Sequence, residues 1–238
     1  CVLAGSRVIV VERDAASADA AAQRIDQSIR RSADRDPKLD AGQCAARLEL
    51  TTTIAACADA ALVIEAVPED RVLKEDALSR VDEVVSADAV IASNTSSISI
   101  DDLALARRRP ERFLGLHFFN PVPPSALVEI VRGSATGPTV VDSAREWVAL
   151  LGKTPIVVAD SPGFASSRLG VALGLEAIRM LEERVASAAD IDAAMTLGYR
   201  HPVGPLRTTD LVGLDVRLGI AQELARELGE RFEPPALL

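Results

Sequence analysis

Along the first two-thirds of the chain, short unbroken apolar runs alternate with stretches in which apolar residues recur at helical spacing. "RVIVVE" (7–12), "ALVIEAV" (61–67) and "AVIASN" (89–94) are the runs, and "EDALSRVDEVV" (75–85) predicts a helix between the last two. Strands that are apolar at every position are the kind covered on both faces. The alternation therefore predicts a parallel sheet in an α/β layer arrangement. Further on the rhythm changes: "RFLGLHFF", "ALVEIVRG" and "TPIVVAD" predict strands joined by a Pro-rich turn and by one helix, over about 138–151, that contains Trp147. That grouping reads as a mixed sheet edge.

After "VVADSPGF" the pattern becomes wholly helical. "FASSRLGVALGLEAIRMLEER" places Leu169, Leu173, Ala177, Met180 and Leu181 on one broad face. "SAADIDAAMTLGY" opens on Ser187 with Asp190 three residues later, a start resembling a capping box. "LRTTDLVGLDVRLGIAQELARELG" predicts a third helix. The turn Asp160-Ser161-Pro162-Gly163 is the expected boundary between a doubly wound α/β domain (1–160) and a second, all-helical domain (161–238). The opening "CVLAG" reads as the last turn of a helix, closed by Gly5 and followed directly by a strand. The chain closes on "RFEPPALL" just after a long helix, so both ends are expected to be cut.

Composition narrows the class. The 238 residues are 48% apolar, enough for a full core, and no uncharged run reaches the roughly 18–20 residues of a membrane helix. With 26 basic and 35 acidic residues the net charge is −9, which argues against a nucleic-acid surface but not against an anionic small ligand. Cys1, Cys44 and Cys57 are irregularly spaced and lack metal-ligand neighbours. They read as reduced thiols of a soluble, cytoplasmic protein, and no metal site is expected.

Candidate chemistry lies at strand ends. Glu12 follows an apolar strand, where an acidic side chain in a dinucleotide fold accepts from the adenosine ribose hydroxyls and disfavours a 2′-phosphate. The glycine-rich turn that should precede it would lie ahead of Cys1. "EAVPEDRVLK" (65–74) and "SNTSS" (93–97) also follow strands; in the second, one serine is expected to cap the next helix, leaving another to face a ligand. His117, in "HFFNP", stands where Asn120-Pro121 ends a strand. Glu129 lies in the next strand, "LVEIV", and a carboxylate among apolar residues is costly to bury without a partner. A strand–turn–strand path would bring the two together, fixing the imidazole tautomer for acid/base work. His201, among Pro and Gly, reads as structural.

Taken together, "SNTSS", "RFLGLHFFNPVP" with "LVEIV", "DSPGF" and "GYRHPVGPLRTTDLVGLD" resemble, in order and spacing, the L-3-hydroxyacyl-CoA dehydrogenases, particularly the short-chain bacterial 3-hydroxybutyryl-CoA type. The resemblance covers essentially the whole chain. It implies a Rossmann-type NAD domain and a helical domain that makes a homodimer, with acyl-CoA as substrate. It also implies an acid/base role for His117 with Glu129 as its orienting partner, and a place for Ser96 on the substrate oxygen. Glu12 would hold the adenosine ribose, and Ala66, Glu69, Lys74, Ser96 and Asn120 would lie along the nicotinamide side. Ser167 stands where the family usually has a substrate-binding Asn. Its shorter side chain leaves a free hydroxy acid open as the alternative substrate; a non-catalytic truncated module is the other alternative, and the presence of both His117 and Glu129 argues against it.

Overall fold

The computed structural model describes residues 1–238, which form two compact units, Cys1–Asp160 and Ser161–Leu238. In the first unit the order is β1 (Val8–Val11), α1 (Ala15–Ala33), α2 (Ala41–Ala45), β2 (Leu48–Thr51), β3 (Leu62–Glu65), α3 (Arg71–Val84), β4 (Val90–Ser93), α4 (Ile100–Ala104), β5 (Phe113–Phe118), β6 (Leu127–Arg132), α5 (Pro138–Leu150) and β7 (Thr154–Ala159). The second unit holds α6 (Ser166–Glu182), α7 (Ala188–Ala193) with a π-helical turn after it, α8 (Pro205–Val212) and α9 (Leu214–Leu228). The α/β layer and the helical unit are the architecture the apolar pattern predicts.

The strands form two ladders. β1 pairs β2 in parallel, and a five-stranded sheet runs β3-β4-β5-β6-β7. Within the second, β3, β4 and β5 are parallel, β6 is antiparallel to β5, and β7 is parallel to β6. β4 is buried at every position, and the alternate residues Leu114, Leu116, Val128 and Ile130 of β5 and β6 pack with Val140, Val141, Ala144 and Val148 of α5. This is the two-sided burial expected of the apolar runs.

The helices depart from expectation in three places. α3 starts at Arg71, four residues before the predicted start, because the Asp70 carboxylate accepts from the Leu73 amide at 2.9 Å and caps the turn. The buried stripe of α6 is Val171, Gly174, Leu175 and Ile178, an i, i+3, i+4, i+7 set, with Ala177 beside it, whereas Leu169 points outward at 71% exposure. The single helix expected after "HPVGP" is two, α8 and α9, because Gly213 sits at φ +99° and breaks the helical path. Ser187 does cap α7, accepting from the Asp190 amide.

Candidate active site

The register of β5 against β6 places His117 directly opposite Glu129. Opposed residues in an antiparallel pair share a face of the sheet. The side chains meet accordingly, with His117 Nδ1 2.7 Å from Glu129 Oε2. Glu129 is completely buried between the equally buried Val128 and Ile130, and His117 is 7% exposed. A carboxylate accepts at such a distance only from a protonated nitrogen, so Nδ1 carries the proton and Nε2 is the basic position of the neutral ring. The Phe119 ring tilts against the imidazole at a centroid distance of 4.5 Å. Between the strands, Lys153 donates to the Val122 and Ser125 carbonyls and ties down the Pro-rich turn that carries Asn120, whose bond to Pro121 is cis.

A second constellation forms where β3 and β4 end. Their register sets Glu65 beside Ser93, and Ser93 Oγ donates to Glu65 Oε2 at 2.6 Å. Glu65 Oε1 accepts from the Val67 amide and from Lys74 Nζ, at 2.6 and 2.9 Å. Lys74, one turn into α3, is 1% exposed; its ammonium also donates to the Val67 carbonyl at 3.0 Å and lies 3.3 Å from Glu69 Oε2. Glu69 then reaches the loop after β4. Its Oε1 accepts from Thr95 Oγ1 (2.6 Å), the amides of Ser96 and Ser97 (2.9 and 3.0 Å) and the hydroxyls of Ser97 and Ser96 (3.0 and 3.3 Å). Burial works to raise the Glu69 pKa, but the Thr95 and Ser96 hydrogen bonds, the Lys74 charge and Ser97 outweigh it and hold the carboxyl at about 2.

None of the three serines of "SNTSS" caps α4. Ser99 does so, accepting from the Asp102 amide, and this leaves Ser96 and Ser97 to Glu69. Asn94 joins the two constellations, since its Oδ1 accepts from the Phe118 amide next to His117. Ala66 and Ser96 are exposed on the same loops. Glu12 follows β1 with its amide on the Thr51 carbonyl, and its carboxylate has no hydrogen-bond or ion-pair partner in the chain. An unpartnered acceptor just past a parallel strand fits a ribose diol. Ser167 lies half-buried in the first turn of α6, in the other unit. Sequence reasoning missed Glu65, Asn94, Thr95, Ser97, Phe119 and Lys153. For Glu65 a signal existed: it is a charged residue ending an apolar strand, nine positions ahead of a lysine.

Comparison with known proteins adds an independent finding. The family model for the 3-hydroxyacyl-CoA dehydrogenase NAD binding domain matches residues 1–161, and that for the C-terminal domain of the same family matches 163–238. A 3-hydroxybutyryl-CoA dehydrogenase of Mycobacterium tuberculosis is 42% identical over 240 residues, covering 99% of this chain and 84% of the relative. Among solved structures, the (S)-3-hydroxybutyryl-CoA dehydrogenase PaaH1 of Ralstonia eutropha superposes with a TM-score of 0.94 at 37% identity, covering 100% of this chain and 85% of that one. A diketoreductase described as acting on dicarbonyl compounds superposes at 0.87 with 28% identity, covering 95% of this chain and 84% of its own.

Proposed function

Since the chain belongs to the 3-hydroxyacyl-CoA dehydrogenase family, we propose that it interconverts (S)-3-hydroxyacyl-CoA and 3-oxoacyl-CoA with NAD, on short acyl chains of the 3-hydroxybutyryl/acetoacetyl type. The observation that carries the reading is the buried His117–Glu129 pair. A histidine whose tautomer is set by a carboxylate is equipped to move one proton at Nε2, which is what oxidation of a secondary alcohol requires of the protein.

The chemistry NAD supplies when bound is acceptance of the hydride from C3. His117 takes the 3-hydroxyl proton at Nε2 as that bond breaks, and returns it to the oxygen in the reverse direction. Glu129 keeps Nδ1–H in place throughout, and its buried charge offsets the one the ring gains with the proton. The Ser96 hydroxyl makes the longest of the five contacts to Glu69 Oε1, 3.3 Å, so it is the donor most readily turned toward a substrate oxygen. Glu12 accepts from the adenosine ribose, with Ala66, Glu69, Lys74, Ser96 and Asn120 along the nicotinamide side. Ser167 contributes one hydroxyl toward the substrate's carbonyl region.

The protein works as a cytoplasmic homodimer in this reading. The exposed apolar residues Leu211, Val212, Leu214 and Val216 around the α8–α9 break support pairing through the helical unit, and three free thiols suit a reducing compartment. Reduction of acetoacetyl-CoA by NADH, compared with His117→Gln, tests the proposal. The substitution should lower kcat by roughly 10²–10⁴-fold with NADH binding retained; undiminished turnover would refute it. The likeness to a diketoreductase, together with Ser167, favours free dicarbonyl substrates as the second reading. Higher kcat/KM on free acetoacetate than on acetoacetyl-CoA would select it.

A further inference from the structure

Arg217, in the first turn of α9, is a buried cation without an anion in its own chain. The residue is 5% exposed, and its Nε is sealed from solvent with no hydrogen bond. Burial pushes its pKa down, and no carboxylate stands near enough to offset that. The guanidinium lies against α6 at Gly174, where a Cβ would stand 3.7 Å from Arg217 Cζ and Nε and 3.0 Å from Thr209 Oγ1. A side chain longer than a methyl would take the guanidinium's place. The Thr209 hydroxyl beside it donates to the Pro205 carbonyl at 2.9 Å. Burying a guanidinium is costly, and a counter-ion that completes its hydrogen bonds offsets part of that cost.

The segment that carries Arg217 is apolar and uncovered. Leu211, Val212, Leu214 and Val216 are all exposed. One turn before Gly174 on α6, Gly170 is exposed as well, with open space where a Cβ would be, next to the exposed Leu169. The same segment holds two exposed carboxylates, Asp210 and Asp215, whose side chains have no hydrogen bond or ion pair in the chain. One patch therefore joins apolar surface, a cation that lacks an anion and anions that lack a cation. Across a two-fold axis such a patch meets its own copy, so each cation can face the other copy's carboxylates. A free anion would answer the cation but leave the apolar rim in water, whereas a second copy covers both. We infer that the Arg217 site is completed by a second copy of this chain, with Asp210 or Asp215 of the partner subunit accepting from the guanidinium, once in each direction. The inference rests on the homodimer reading given above and not on the dehydrogenase activity.

Sedimentation equilibrium over a range of protein concentrations gives the dimer Kd. It is measured for the unsubstituted protein, Arg217→Met, Asp210→Asn, Asp215→Asn and the two doubles that combine Arg217→Met with each aspartate change. Arg217→Met should raise the Kd by about 30-fold or more. One of the aspartate changes should raise it by a similar factor, and the matching double should be little weaker than Arg217→Met alone, because both remove one pair. Circular dichroism checks that each variant is folded. Should Arg217→Met not fold, Arg217→Lys, which keeps the charge and loses the planar fork, takes its place beside the exposed aspartate variants. A dimer whose Kd is unchanged by the Arg217 substitution overturns the inference. So does one that the substitution weakens without coupling to either aspartate. An unsubstituted protein that stays monomeric overturns the homodimer reading and the inference together. Failure to reduce acetoacetyl-CoA would overturn the proposed activity alone, since the dimer Kd is read without substrate.

Discussion

His117 and Glu129 are twelve positions apart and face each other because β5 and β6 are joined by a short turn and share one register. The pairing is costly to build. A carboxylate with no exposed surface, seated between Val128 and Ile130, is costly to bury, and the imidazole proton offsets part of that cost. Glu129→Gln keeps the volume but offers an amide that can donate to Nδ1 as readily as accept from it, so the tautomer is no longer set. We expect kcat for acetoacetyl-CoA reduction to drop by roughly 10²–10⁴-fold, with the NADH KM little changed. Stopped-time assays across pH, together with NADH fluorescence titration, check both halves of that expectation. This pair was legible beforehand, since two strands and one turn relate its members by simple alternation. The Glu65–Lys74–Glu69 cluster was not. It joins residues up to 28 apart across a crossover helix, and serines and threonines after a strand look the same whether they cap a helix or bind a carboxylate.

At the level of elements, apolar runs were sufficient to find β1 and β3–β7, although only β4 is buried at every position and β1 is half-buried throughout. α1 went unread because it is rich in alanine and carries only two large apolar residues, Ile25 and Ile29, too few to mark a stripe in the sequence. The break between α8 and α9 depends on one backbone angle at Gly213, which periodicity cannot see. The start of α8 shows how such local devices couple elements. Its N-cap, Gly204, has no side chain, and Asp192 of α7 reaches across to accept from the Leu206 and Arg207 amides at 2.8 and 3.0 Å. A Cβ on Gly204 would fall 2.3–2.4 Å from the Asp192 side chain, far inside contact distance. Gly204→Ala should therefore cost about 1–3 kcal/mol by displacing the carboxylate, and Asp192→Ala about 1–2 kcal/mol by removing it. Because both act on one cap, the double substitution should cost less than the two losses added. Urea unfolding followed by far-ultraviolet circular dichroism measures the cycle; additive losses would show that the cap is not what Gly204 protects.

Over the whole molecule, each unit has its own core: β5, β6 and α5 side chains in one, and Val171, Leu175, Ala221, Leu224 and Phe232 in the other. The only tryptophan, Trp147, packs against the first core, so its emission reports that unit. The acid stability of that unit is tied to the loop clamp. Glu69 has its carboxyl held at about 2 against an ordinary 4.5, so the folded state binds its proton less readily than the unfolded chain. The sign follows: the contribution is fully present above pH 4.5, declines as pH falls through that value, and is gone below about 2. With the side chain 37% exposed, solvent screening reduces it to roughly 1–2 kcal/mol. Glu69→Gln should thus be less stable than the unsubstituted protein by that amount at neutral pH. The two unfolding curves should converge as pH drops toward 2, because the group that differs between them has become neutral in both. Chemical denaturation followed by Trp147 fluorescence at several pH values between 7 and 2 would show the convergence. A gap that stays constant across the range would mean that the Glu69 carboxylate braces the loop through shape alone, not through charge.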